Sequence, residues 1–556
     1  TLQDSKDSEV FGEAGYLYFS TDNSWPRDVE AEIERLPDDW LEEHRGEMRV
    51  RPTRRKNLPQ HFHVTPNGEA SVDGLNCHFI STPFRFCLNC GVSYDFRQRS
   101  DFAKLTALGT GGRSTATTIL GLSAIRGLYA EGSLPKKARK MLSFTDNRQD
   151  AALQAGHFND FIEISILRAA LYRAIQGAGT EGVAHDHLTQ KVFETLALPL
   201  NMYASDPDVR FQAMSETEKA FRDVLGYRLY YDLRRGWRVT SPNLEQSGLL
   251  EIAYPWLEEV CHAEDIWEES HPAIATAKPE TRVKIAKVLL NHMRSNLAIK
   301  VDYLNTFEQE RIQQRSNQHL AYPWAIYENE KMEHAAILYP RSKRQRDYGG
   351  KLFISSRSGF GQYLRDPATF DTYEEKPNLE KTQQIIQDLL TGLKAAGQVE
   401  IVEEANGEDE VHGYQLPASA MLWVAGDGTT AFHDPIRVSR LPEGGGRTNP
   451  FFVNFYKTIA GELHGLRARE HTAQVPYADR EKREELFRAG ELPVLFCSPT
   501  MELGIDISQL NVVNMRNVPP TPANYAQRSG RAGRSGQPAL VFTYSSVRSP
   551  HDQYFF

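Results

Sequence analysis

A parallel α/β sheet split by a long insertion is the fold class this sequence predicts, and three observations predict it. Short apolar runs that end in polar loops and lead into helices occur near 141–149 and again from 466 to 544. Strand, polar loop, helix is the unit of a parallel sheet, whose ligand-facing loops lie at the carboxyl ends of the strands. The stretch 176–445 between the two regions is far longer than the ~15-residue ceiling of an ordinary loop, so it reads as an inserted domain. Residues 1–100 fit neither pattern and read as a small, irregular, cysteine-containing module.

The elements follow in order. Residues 1–100 carry an apolar run (Tyr16-Leu17-Tyr18-Phe19), an expected helix over Arg27–His44 and a basic stretch from Arg49 to Lys56. The first part of the sheet domain, 101–175, opens on a turn at Gly109–Gly112. Ser114 and Thr115 are the expected N-caps of a helix over Ala116–Leu128. Met141–Phe144 is a strand, and a helix starts at Gln149. The insertion, 176–445, begins helical and aromatic-rich. Its end, about 378–420, has an amphipathic helix over Lys381–Ala396 stopped by Gly397, then Val399–Val402 paired with Val411–Leu416 across Asn406-Gly407. Helix followed by hairpin is how a winged-helix domain ends, and a generic α+β insert satisfies the same pattern. The sheet resumes in 446–556. Leu466–Val475, Pro493–Cys497, Val512–Asn517 and Ala539–Tyr544 are extended; Ala478–Ala489 and Thr521–Arg531 are helical.

Composition narrows the function. Lys+Arg 64 against Asp+Glu 73 leaves a net charge of -9, which excludes a protein that holds nucleic acid by bulk positive charge but permits a local basic groove. Five cysteines are too few for a disulfide scaffold, so reduced thiols are expected. No run approaches the roughly 18 consecutive apolar residues of a membrane span, and a soluble cytoplasmic protein is expected. The start at Thr1 rather than Met, and the stop within Tyr554-Phe555-Phe556, are expected of a piece of a longer polypeptide.

The strongest local signal for chemistry is Gln527-Arg528-Ser529-Gly530-Arg531-Ala532-Gly533-Arg534. Three arginines at spacing three run along a helix end and the turn after it, and Gly530 and Gly533 allow a ligand or backbone to approach closely. Guanidinium groups suit the charge that develops on a transferred phosphoryl group. The plainer reading is a solvated arginine-rich helix end. Upstream, Cys497-Ser498-Pro499-Thr500-Met501-Glu502-Leu503-Gly504-Ile505-Asp506 ends a buried-type strand. Ser498 and Thr500 can bond a nucleic-acid phosphate there and Asp506 can accept from a ribose hydroxyl, or Asp506 can simply cap a turn.

Taken together, Phe144-Thr145-Asp146-Asn147-Arg148-Gln149-Asp150-Ala151, Glu470-His471-Thr472-Ala473-Gln474, the Ser498–Asp506 run and Gln527–Arg534 resemble motifs IV, IVa, V and VI of superfamily 2 helicases. All four belong to the second RecA-like domain of that family. The wording of Ser498–Gly504 and of Pro519-Pro520-Thr521-Pro522-Ala523-Asn524-Tyr525 is similar to large bacterial DEAD/DEAH-type helicases that include anti-phage defence proteins of the Druantia and DISARM kinds. The resemblance implies an ATP-dependent helicase or translocase, with DNA favoured over RNA as the partner. Arg531 and Arg534 would then reach the γ-phosphate with Gln527 beside them, and Gly504, Asp506 and Gly530 would lie at the nucleotide. Thr145, Arg148, Ser498 and Thr500 would face the tracked strand. His471 would couple the two sites or be a buried core histidine. ATP with Mg2+ would be bound mainly by a first RecA-like domain, whose Gly-x-x-x-x-Gly-Lys-Ser/Thr loop and acidic Asp-Glu box are not expected in this chain. The chain alone is therefore not expected to hydrolyse ATP. Gly109–Thr115 lacks the phosphate-reaching lysine, so a helix-capping turn is the better reading. The competing function is a non-hydrolysing nucleic-acid-binding or assembly scaffold for defence partners.

Two further features stand apart. Cys87-Leu88-Asn89-Cys90-Gly91 is half of a zinc knuckle, with Cys77 upstream and His78 as an expected fourth ligand for structural Zn2+; a metal-free degenerate knuckle is the alternative. Tyr230–Arg238 interleaves aromatics with basic residues and Arg341–Arg346 is basic. Both read equally as nucleic-acid contacts or as ordinary core and surface.

Overall fold

The computed structural model describes residues 13–556 except 22, 46, 95–100, 102, 103, 105–111, 235–240, 345, 346, 348, 374, 408, 409, 439–444, 499–508, 547 and 548. At its centre is a five-stranded parallel sheet in the order Ala468–His471, Val494–Cys497, Met141–Phe144, Val512–Met515, Leu540–Thr543. The three inner strands are buried at every position, as their mainly apolar runs require, and the two polar exceptions satisfy each other, the Ser143 hydroxyl donating to Asn514 at 2.7 Å. Alternation divides their side chains between two cores. Leu142, Phe144, Leu495, Cys497, Val513 and Met515 pack with Phe487 on one face, while Met141, Val494, Phe496 and Val512 join the core that carries Phe158 on the other.

The helix after Met141–Phe144 runs much further than a sheet-covering helix needs to, from Arg148 to Gly177 over 30 residues. Asn147 caps it by accepting from the Asp150 amide. Its second half enters the insertion, where the buried Arg168 forks onto Asp232 at 2.6 and 2.9 Å and donates to the Tyr456 hydroxyl at 2.8 Å. One apolar core consequently runs from Leu122 through the insertion to Val512. The helix before the first strand, Arg113–Ala130, begins earlier than the sequence suggests. Gly112 stands at its N-cap with no side-chain bond, and Ser114 and Thr115 lie inside it, Thr115 bonded to His157 at 3.2 Å.

At the end of the insertion, helix Leu379–Ala395 and the hairpin Glu400–Glu403/Gly413–Pro417 form as the pattern predicts. The second hairpin strand also pairs with Ile337–Tyr339 and with Ile299–Lys300, so the hairpin is part of a five-stranded mixed sheet rather than a free wing. In the amino-terminal module, Gly15–Tyr18, Leu75–Ser81 and Gln60–Val64 form an antiparallel sheet over a core of Trp25, Trp40, Phe84 and Phe86. The helix expected over Arg27–His44 stops at Arg35, because Leu36 precedes Pro37 and is held extended. No helix among the described residues is long and apolar enough to cross a membrane.

Candidate nucleotide and nucleic-acid face at the strand ends

The carboxyl ends of the inner strands carry the expected site residues, but not all face outward. Thr145 is fully buried. Its amide donates to the Cys497 carbonyl at 3.0 Å, and its hydroxyl donates to the same oxygen at 3.2 Å and to the Asn147 carbonyl at 2.9 Å. It ties two strand ends together instead of presenting a hydroxyl to a strand of nucleic acid. Ser498 is equally buried. Arg148, in the first turn of the long helix, is exposed. Thr500, Gly504 and Asp506 lie outside the described residues. His471 is a core histidine, its Nε2 2.8 Å from Glu484 and its Nδ1 buried without a partner.

The arginine run divides in the same way. Thr521 caps helix Pro522–Ser529 by accepting from the Asn524 amide, with Pro522 in the first turn. Arg528 is buried, its guanidinium 5.6 Å over the Phe144 ring, and so packs the end of the central strand. Arg531 and Gln527 are half-buried and Arg534 is exposed, its Nε donating to the Gly530 carbonyl at 3.3 Å. Arg531 lies near the end of the neighbouring strand, where its charge acts on Cys497; burial nonetheless raises that thiol's pKa. Gly533 needs to be glycine: its φ is +71°, and an added Cβ would sit 2.8 Å from that of Ala539. Gly530 has an ordinary φ of -67°, so its freedom is not used.

Sequence reasoning missed a second ring of charge around this face. Arg516, just beyond Val512–Met515, reaches Asp150 at 2.9 Å, Gln154 at 3.1 Å and Ser114 at 3.5 Å, joining the starts of two helices to a strand end. Arg113 pairs with the buried Asp552, which also accepts from the amides of Val518 and Ser546. Asp146 sits among His551, Arg528 and Arg113, yet burial holds its pKa above the usual carboxylate range. The available signal was the polar pair Arg516-Asn517 directly after a run of buried strand residues.

The proposed metal ligands are not one site. Cys77 and His78 are neighbours on strand Leu75–Ser81 and so point to opposite faces. Cys77 donates to the Phe62 carbonyl at 3.5 Å, and His78 packs against His61 with ring centroids 5.2 Å apart. Cys87 and Cys90 do meet, across a turn in which Gly91 has φ +65°. A hydrogen bond from the Cys90 thiol draws the Cys87 pKa down to about 6 and pushes that of Cys90 up. No group of three metal-ligating side chains occurs among the described residues. Zn2+ does not fit the Cys77, Cys87, Cys90, His78 set.

Three of the remaining candidates serve the fold, while Lys343 and Arg344 are exposed. Tyr230 is buried against Trp423 and Tyr303, Arg234 pairs with Glu333 at 2.7 Å, and Arg341 is held bidentately by Asp347 at 2.7 and 3.0 Å. Residues 235–240, 345, 346 and 109–111 lie outside the description. The letters Asp409-Glu410-Val411-His412 do spell an acidic box, contrary to the expectation that none occurs. They fall between the two strands of the antiparallel hairpin, where His412 accepts from the Ala405 amide and pairs with Glu404 at 3.0 Å. Asp409 lies outside the described residues, and Glu410, Val411 and His412 lead into an antiparallel strand.

Residues 443–536 match the helicase conserved C-terminal domain, so the chain carries a domain of that family, built on the parallel five-stranded sheet of the RecA-like fold. No curated protein matches the sequence. Among solved structures, the chain is similar to the C-terminal domain of the DEAD-box protein Dbp5 at 24% identity over 16% of this chain and 53% of that one, with a TM-score of 0.15. It is similar to the yeast DEAD-box splicing factor Prp28 at 19% identity over 17% of this chain and 20% of that one, TM-score 0.15. It is also similar to the Mycobacterium smegmatis helicase Lhr bound to ssDNA and AMP-PNP, at 30% identity over 14% of this chain and 10% of that one, TM-score 0.13. The chain thus spans little more than half of the first and far less of the other two.

Proposed function

We propose that this chain supplies the second RecA-like motor domain of an ATP-dependent helicase or translocase that acts on DNA. One arrangement supports the reading above all: Arg531 and Arg534 lie in the turn just past a capped helix, half-buried and exposed respectively, while Arg528 turns inward and anchors that helix on Phe144. Arg531 and Arg534, with Gln527, are suited to hold the phosphates of an ATP whose Mg2+ and remaining contacts come from a first RecA-like domain. When bound, ATP supplies the phosphoryl transfer to water that drives movement. A guanidinium fixed beside that phosphate stabilises charge as it spreads over the transferring oxygens, an effect of about 10³–10⁵ in rate.

Arg148, exposed in the first turn of a 30-residue helix, combines a cation with the positive end of the helix dipole, which suits a backbone phosphate of the tracked strand. Thr145 and Ser498 act on that strand through the loops they hold, not by direct hydroxyl contact. Thr500, and Gly504 with Asp506 at the ribose, keep the roles the motif resemblance implies. On the same resemblance we place the protein in bacterial anti-phage defence.

The test is the ATPase of the intact protein with and without single-stranded DNA or RNA. DNA-stimulated turnover that Arg531→Ala abolishes is expected. Undiminished turnover in that variant rejects the arginine assignment, and stimulation by RNA alone rejects DNA. Equal phage plating on cells carrying wild-type and Arg531→Ala alleles would overturn the defence role.

A further inference from the structure

We propose that Arg516 is a positioning residue for the tracked strand: it neutralises the Asp150 carboxylate and so leaves the charge of Arg148 to a backbone phosphate. This role rests on Arg148 contacting the tracked strand, as proposed for the motor domain. Arg148 and Asp150 share the first turn of helix Arg148–Gly177, where the cation attracts a phosphate and the anion two residues on repels it. Among the described residues Arg148 has no carboxylate at ion-pair distance. Asp150, by contrast, is committed. Its amide donates to the Asn147 side chain at 2.8 Å, its Oδ2 accepts from Asn147 Nδ2 at 3.1 Å, and the same oxygen lies 2.9 Å from Nη1 of Arg516.

The central sheet sets Arg516 in place. It follows strand Val512–Met515 directly, and its amide donates to the Phe144 carbonyl at 2.9 Å, which carries the parallel ladder one residue past the strand end. The side chain is buried and its fork is fixed. Nε donates to Gln154 Oε1 at 3.1 Å, and Nη2 donates to the Ser114 hydroxyl at 3.5 Å. Asp150 and Gln154 are four residues apart on one helix, so a single guanidinium grips one face of the helix start. Asp146 and Arg113 also act on Arg516, but Arg113 is itself paired with Asp552. The pairing of Arg516 with Asp150 cancels both charges, and Arg148 remains as the exposed charge of the first turn.

Removing the Arg516 charge strands the Asp150 carboxylate beside Arg148. Strand binding then weakens in a way specific to charge: one phosphate contact is lost, and with it about 0.7 of the logarithmic salt slope for a single strand. A loosened fold also weakens binding, but it does not take away one contact's share of the slope. Nor is a loosened fold repaired by deleting the opposite charge.

The experiment follows binding of a fluorescein-labelled oligothymidylate to the intact protein by anisotropy across a salt series, with a denaturant midpoint for each variant. Arg148→Gln and Arg516→Gln are each expected to weaken binding by about 10-fold at low salt and to lower the slope by about 0.7. The double variant of the two is expected to bind within about twofold of Arg148→Gln alone. Asp150→Asn combined with Arg516→Gln is expected to return binding to within about twofold of wild type. A wild-type slope in Arg516→Gln, additive losses in the first double variant, or no recovery in the second overturns the role of Arg516 while that of Arg148 stands. Wild-type affinity and slope in Arg148→Gln reject the strand contact itself, and the Arg516 role with it. Where Arg516→Gln fails to fold, Arg516→Lys decides: it keeps the charge, so the wild-type slope is expected, and a slope lowered as in Arg148→Gln overturns the proposal.

Discussion

The insertion and the strand-end face use the same residue in opposite ways. In the insertion and on the helix that enters it, Arg168, Arg282 and Arg294 are buried almost completely and each is matched to a carboxylate: Asp232 at 2.6 Å, Glu264 at 2.8 Å and Glu245 at 2.6 Å. Arg282 also donates to the carbonyls of Cys261, Ile274 and Ala275. These guanidinium groups are spent on the fold. At the strand ends Arg516, paired with Asp150 at 2.9 Å, and Arg528, over the Phe144 ring, are buried in the same way, whereas Arg531 and Arg534, just past a helix fixed by a Thr521 cap and a proline, stay partly or wholly in solvent. An arginine that serves the fold is sunk among its partners; one that serves a ligand is left reachable from solvent.

That contrast yields graded predictions. Arg531→Ala is expected to lower DNA-stimulated turnover by about 10³-fold or more with little change in stability, and Arg531→Lys not to restore it, since an ammonium lacks the planar fork. Steady-state kinetics of the intact protein checks both. Asp232→Ala strands the buried Arg168 guanidinium and is expected to destabilise by about 3–5 kcal/mol, read as a lower denaturant midpoint. Gly533→Ala forces a left-handed backbone onto an L-residue, at roughly 1–2 kcal/mol before the clash with Ala539 is counted. A drop in midpoint equal to that of Gly530→Ala would remove the distinction between the two glycines. The smallest effect is chemical and concerns pH. Cys87 loses its proton above about 6, so its alkylation should rise through pH about 6, while Cys261, held up to about 12 by burial, stays unreactive at neutral pH. Equal rates for the two thiols would contradict this.

The inner strands were readable because short, mainly apolar runs have one comfortable home, the middle of a parallel sheet, where Ser143 and Asn514, the two polar exceptions, bond each other at 2.7 Å. The arginine run was readable from its spacing. What stayed hidden depended on partners distant in sequence. Thr145 looks the same in a sequence whether its hydroxyl faces a ligand or a carbonyl 352 residues away. Arg516 acquires meaning only once Gln154, 362 residues away, is beside it. Two misreadings were avoidable on local grounds. Pro37 already argued against a helix to His44, and the alternation of strand Leu75–Ser81 separates Cys77 from His78.

The most direct test sets Arg531→Ala beside Arg528→Ala in the intact protein and measures DNA-stimulated ATP turnover and the denaturant midpoint for each. The expected result is turnover lost with the midpoint kept for Arg531→Ala, and a clearly lowered midpoint for Arg528→Ala as its packing on Phe144 is removed. Full turnover in Arg531→Ala, or the same loss of stability in both variants, would contradict the division between arginines that build this domain and arginines that act from it.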